Sequence, residues 1–153
     1  MAASRPPLGS PERRGFTLLE LACVVGVISV LLSLSIPSYA FFLRRARDAE
    51  ALVNLQTIAH LEQVSMLERG HFVGCAPSPE ELPQPRSRFA QTEGWPQLGF
   101  RIEGPVHHQY GVDLSAEQGF TAWARGDLDG NGVLSHHAVD GLTMSLVSER
   151  PGE

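Results

Sequence analysis

The sequence predicts an α+β protein in which one long N-terminal helix packs against a small antiparallel sheet. Three observations lead there. An apolar run, LACVVGVISVLLSLSI, spans Leu21 to Ile36, sixteen residues without a charge. An amphipathic stretch follows from Phe41 to Leu67. Short segments rich in β-branched and aromatic residues, separated by turn signals, then fill the last third of the 153 residues.

The elements follow in chain order. Residues 1–14 are rich in Pro, Ser, Ala and Arg, lack periodicity and read as disordered. Counted from Phe16, the apolar run reaches twenty-one residues, broken only by Glu20. At about 1.5 Å per residue such a helix is roughly 30 Å long, enough to cross a hydrocarbon core. Pro37 is expected to end or kink it. Beyond Pro37, the residues Ala49, Leu52, Leu55, Ala59, Met66 and Leu67 fall on one broad stripe. Glu50, Asn54, Thr57, Ser65 and Glu68 lie opposite, and Gly70 marks the stop. Residues 74–99, rich in Pro and Gly, read as an irregular connecting loop. Strands are expected in LGFRIEG (98–104), HQYGVDL (108–114), GFTAWARG (119–126) and GLTMSLVSE (141–149), with Gly-Pro, Glu-Gln-Gly and Asp-Gly turns between them. Such spacing favours an antiparallel meander laid on the helix's apolar stripe. The organisation is therefore a leader over 1–15, a membrane helix over 16–36, its amphipathic continuation over 37–70, and a loop and sheet over 71–153.

The net charge of −5 hides an asymmetry. Residues 1–15 carry Arg5, Arg13 and Arg14 against Glu12, a net of +2, while the rest carries nine Arg against sixteen acids. A basic stub on an acidic body suggests a processed N-terminus and argues against nucleic-acid binding, which needs a basic face. The two cysteines, Cys23 in the apolar run and Cys75 in a polar stretch, are not expected to pair and carry no zinc spacing.

The junction Arg13-Arg14-Gly15-Phe16-Thr17-Leu18-Leu19-Glu20 carries the functional argument. Arg13 and Arg14 would hold the leader in the cytoplasm. Gly15, without a side chain, lets a protease grip the backbone closely. A carboxylate near the end of a membrane helix costs up to a few kcal/mol, so Glu20 should have a partner. Cleavage before Phe16 would create an α-amine at the same depth. A conventional signal peptide cut after Ser38-Tyr39-Ala40 fits less well, because the apolar run is too long and Glu20 is badly placed. Arg44, Arg45 and Arg47 flank the far side, so loop charge alone does not orient the span.

This stretch closely resembles the type IV prepilin signature, a basic leader ending in Gly before Phe-Thr-Leu-(Leu/Ile)-Glu and an apolar run. The resemblance continues through Ile36-Pro37-Ser38-Tyr39 and Ala49-Glu50-Ala51-Leu52-Val53-Asn54-Leu55, about a third of the chain. Leu98-Gly99-Phe100-Arg101 and Gln109-Tyr110-Gly111-Val112 look like the strand region of pilin-like proteins. The resemblance implies a pilin-like fold and cleavage by a prepilin peptidase between Gly15 and Phe16, with methylation of the Phe16 amine. It implies that Glu20 pairs with the Phe16 amine of a neighbouring pilin subunit. It also implies an inner-membrane assembly platform and ATPase, contact with membrane lipid before assembly, and a helix that bends at Gly26 and Pro37. The expected function is a type IV pilus subunit, major or minor. The alternatives are a type II secretion pseudopilin and a membrane-anchored calcium-binding module that does not polymerise.

In the distal domain, Asp127-Leu128-Asp129-Gly130-Asn131-Gly132-Val133-Leu134-Ser135 resembles the first nine positions of an EF-hand-type calcium loop. Oxygens recur at Asp127, Asp129 and Asn131, Gly132 permits the sharp turn, and the Val133 carbonyl is a ligand position. Position twelve is Ala138, where a bidentate acid is expected, and Asp140 comes two residues late. A plain Asp/Asn/Gly turn between strands stands beside the calcium reading. Neither His107-His108 nor His136-His137 chelates by itself, because neighbours on a strand point to opposite faces. Convergence of one histidine from each pair is the less favoured arrangement. Trp95, Trp123 and Tyr110 read as core or loop anchors. No nucleophile–base set stands out, so an enzyme is not expected.

Overall fold

The computed structural model describes residues 15–84, 86–115 and 119–149. Residues 1–14, expected to be a disordered leader, and the Glu117-Gln118 part of one expected turn lie outside the described residues. The chain divides into two compact units, Met1–Ser38 and Tyr39–Glu153.

Helix α1 (Leu18–Arg69) spans 52 residues. It does not end at Pro37. A proline deletes one i→i−4 bond, and the turns beside it keep theirs. The Ser35 and Ser38 hydroxyls add bonds to the Leu31 and Leu34 carbonyls at 2.8 and 3.2 Å. In the first unit the described side chains of the helix are exposed throughout, and this stretch is long and apolar enough to cross a membrane.

In the second unit α1 buries Asp48, Ala51, Leu55, Ile58, Ala59, Glu62 and Ser65. Their three- and four-residue steps describe one helical stripe. It is rotated from the stripe expected from apolar residues alone. Leu55 and Ala59 are on it, but Ala49, Met66 and Leu67 are exposed and Ser65 is buried. The polar members are tolerated because each has a partner. Ser65 Oγ donates to the His71 carbonyl at 3.0 Å, and Glu62 Oε2 accepts the Val73 amide at 2.8 Å. Buried polar groups with partners avoid most of the desolvation cost.

Five strands form an antiparallel sheet in the order β1-β4-β5-β6-β7: β1 (Cys75–Ser78), β4 (Gln109–Ser115), β5 (Gly119–Gly126), β6 (Ser135–Asp140) and β7 (Leu146–Glu149). A second ladder pairs β2 (Ser87–Arg88) with β3 (Pro105–Val106). The expected strand at 98–104 is absent. Short helix α2 (Trp95–Leu98) ends at Gly99, whose φ of 77° suits a glycine, and Phe100 reaches the core from irregular chain. Strands β1 and β2 lie in the stretch expected to be loop, and β6 replaces the tail of the expected calcium loop. The core joins Leu55 and Ile58 of α1 to Tyr110, Val112, Phe120, Ala122, Ala124 and Val139 of the sheet. Burying each large side chain contributes roughly 1.5–3 kcal/mol.

Trp95, Trp123 and Tyr110 are anchors as expected. Their polar tips bond the Ala76 carbonyl, Asp113 Oδ2 and Asn54 Nδ2, each at 2.8 Å. Cys23 is exposed and Cys75 buried, both as free thiols. Burial and the neighbouring Glu62 carboxylate push the Cys75 thiol up to about 12, which makes it unreactive.

Candidate functional site

Three places carry chemistry. The first is the start of α1. Gly15, Phe16 and Thr17 precede the helix, and Phe16 is 77% exposed. Thr17 caps the helix: its Oγ1 accepts the Glu20 amide at 3.2 Å, and its carbonyl accepts the Leu21 amide at 3.1 Å. Thr17-x-x-Glu20 is a capping-box sequence, a signal the motif reading passed over. The cap sets where the helix begins, so Phe16 stays outside it and the Glu20 carboxylate sits in its first turn. There the helix dipole favours a negative charge by about 0.3–1 kcal/mol.

The second is the loop after β5. Asp127 Oδ1 and Oδ2 accept the Gly130 and Gly132 amides at 2.8 and 3.0 Å. Asp129 Oδ1 accepts the Asn131 amide at 3.2 Å, and Asn131 Oδ1 accepts the Val133 amide at 2.6 Å. Gly130 and Gly132 have φ of 76° and 80°, which glycine adopts without strain. Two arginines of α1 hold the loop: Arg47 donates to the Leu128 carbonyl at 3.1 Å, and Arg44 lies 3.8 Å from Asp129 Oδ2. Asp140 takes no part, because its Oδ1 accepts the Leu142 and Thr143 amides and the Thr143 hydroxyl of the next turn. Those bonds from Thr143, and the Leu142 amide, hold its carboxyl below the usual range.

The third site joins two of the histidines against expectation. Within each pair the residues do diverge: His107 Nδ1 meets Glu50 Oε2 at 3.1 Å, and His136 is only half-buried. Their neighbours converge. His137 Nε2 lies 3.0 Å from Asp48 Oδ1, and His108 Nε2 lies 3.8 Å from the same oxygen. Asp48 was not singled out in the sequence. Only its place among buried helix positions, three residues before Ala51, could have pointed to it.

An apolar exposed helix, entered through Gly15-Phe16 and a Thr17 cap, continues into an α+β domain, and the architecture is pilin-like. The prokaryotic N-terminal methylation motif matches residues 11–36. The chain is 33% identical over 63 residues to the Type IV major pilin protein PilA of Myxococcus xanthus (strain DK1622), covering 41% of this chain and 29% of that protein. It is 32% identical over 74 residues to Prepilin peptidase-dependent protein D of Escherichia coli (strain K12), covering 48% of this chain and 51% of that one. The chain thus spans about half or less of the length of the curated relatives it matches. No solved structure matches it.

Proposed function

We propose that this chain is a subunit of a type IV pilus, anchored in a bacterial inner membrane as a precursor and cut by a prepilin peptidase between Gly15 and Phe16. The carrying observation is the exposed apolar surface of α1 from Leu18 to Ile36, with Glu20 as its one charge. So large an apolar surface does not stay in water. Lipid covers it before assembly and neighbouring pilin helices cover it afterwards. A carboxylate near the end of a membrane helix costs up to a few kcal/mol, more than the helix dipole returns at about 0.3–1 kcal/mol. A cation is therefore needed, and the Phe16 amine of an adjacent subunit supplies it. The platform protein and ATPase of the inner membrane provide the work of extrusion.

Mass spectrometry of the mature chain tests this reading. A mature terminus at Phe16, carrying a methyl group, is expected, and Gly15→Val should leave the full precursor in the membrane. Sheared surface filaments should contain the chain. Its restriction to the periplasm would favour a secretion pseudopilus, and an unprocessed chain would sink both readings.

A smaller reading concerns calcium. Asp127, Asp129, Asn131 and the Val133 carbonyl form part of a calcium loop, supported by the two amides that fold the chain around Asp127. A complete loop offers six or seven oxygens. Four donors, with Arg44 beside Asp129, make this a weak structural site.

A further inference from the structure

We propose that Asp48, His108 and His137 bind one divalent transition metal of the zinc class, tying α1 to the sheet. The three come from separate elements: α1, the link between β3 and β4, and β6. Each is at most 6% exposed, and one ligand atom from each lies within 4.8 Å of the others.

The spacing suits a metal. Bonds of about 2.0–2.1 Å in a tetrahedron place ligand atoms roughly 3.3 Å apart. The Asp48–His137 edge is 3.0 Å and the Asp48–His108 edge 3.8 Å, and the edge between the two imidazoles is at most 4.8 Å, so closure on an ion draws the rings together by up to roughly 1.5 Å. Imidazole and carboxylate are zinc ligands, and Ser135 Oγ, 3.3 Å from His108 Nε2, can hydrogen-bond a water in the fourth position.

His108 Nε2 has one hydrogen-bond partner, Ser135 Oγ at 3.3 Å. Ser135 gives its own proton to the Gly126 carbonyl at 3.0 Å. His108 Nδ1 is buried with no partner among the described residues, and Nε2 is too far from Asp48 for a hydrogen bond. His137 is better prepared. Its Nδ1 lies 2.8 Å from Ser148 Oγ, which can accept the ring proton when Nε2 turns to a metal. Such an outer partner fixes the tautomer of a ligating imidazole. Ser148 lies on β7, a strand exposed at every residue, which offers the ion a way in.

The experiment uses the full chain without an affinity tag, purified in detergent, stripped with chelator, loaded with zinc and freed of excess. One zinc per chain is expected. Asp48→Asn and His137→Gln should lose it, His136→Gln should keep it, and Ser148→Ala should weaken it about 10–100-fold. Because the first two variants could misfold, X-ray absorption on the wild-type chain provides a direct reading, with two imidazoles and a carboxylate oxygen expected around the zinc. A chain that retains no zinc, or a shell lacking two imidazoles, overturns the proposal. So does equal retention by folded Asp48→Asn and His137→Gln.

Discussion

Glu62 lies wholly buried on the α1 stripe, with Oε2 bonded to the Val73 amide and Oε1 without a partner. Burial pushes its carboxyl up from 4.5 to about 7, against smaller opposing effects of the Val73 amide and His71. A carboxyl raised in this way favours the fold in its protonated form. Its contribution is fully present below about pH 4.5 and is lost as pH rises through about 7, an effect of up to about 3 kcal/mol. Glu62→Gln keeps an acceptor for Val73 but cannot ionise. Denaturant titrations across this window should show wild-type stability falling relative to the variant, whose curve is flatter. Parallel curves would mean that the carboxylate reaches water. Gly111 acts through shape instead. A Cβ there would stand 2.3 Å from the Trp123 ring, so Gly111→Ala should cost about 1–3 kcal/mol by overpacking. Combining it with Trp123→Leu should return part of that loss, and a strictly additive double mutant would rule out the ring as the cause.

At the scale of elements, the loop from Asp127 to Val133 folds with its own side chains as acceptors for its own amides, so it needs no ion to hold its shape. Calcium should therefore stabilise the domain only modestly. Extracellular modules bind calcium at about 0.1–1 mM, and a ligand at about ten times its dissociation constant adds about 1.4 kcal/mol. Thermal unfolding of the full chain in calcium, magnesium and chelator should show a small calcium-specific rise that Asp129→Ala removes. Arg44→Ala, which takes the cation away from Asp129, should enlarge it. Identical melting in all three solutions would leave a turn and nothing more. Strand β6 shows the same economy. Its inward residues Ser135, His137 and Val139 alternate with half-buried His136, Ala138 and Asp140, so one strand serves both the core and the Asp48–His108–His137 cluster.

Across the whole molecule, the two units pose opposite solvation problems. The second hides its apolar residues within itself, while the first presents them outward along α1 and needs lipid or other helices to cover them. On the proposed function, Glu20 is where the two coverings differ in energy. Glu20→Ala removes a membrane cost, so the variant should insert at least as well as wild type, yet its recovery in sheared filaments should fall sharply. The measurement is the amount of this chain in filaments relative to membranes, made in cells lacking the wild-type copy. An unchanged ratio would remove Glu20 from assembly.

The apolar run, the methylation motif over residues 11–36 and strands β4 and β5 were legible in the sequence, because each is written in neighbouring residues by period, motif or turn spacing. The capping box at Thr17 was equally legible and was missed beneath the larger motif. Other features depended on the tertiary structure. The buried face of α1 turned on polar residues, Asp48, Glu62 and Ser65, whose burial is affordable only because distant groups bond them. Strand β6 was not among the expected strands, since it follows the first nine positions of the calcium-like loop, and only its pairing with β5 and β7 assigns His137 to the core side. Register places Tyr110, Ala124, His137 and Ser148 in one row across four strands, and that row meets Asp48, 89 positions earlier than His137 in the chain. Local sequence determines where a helix or strand can form and which part must leave water, but not which remote side chains share a site, because that depends on the packing of one element on another.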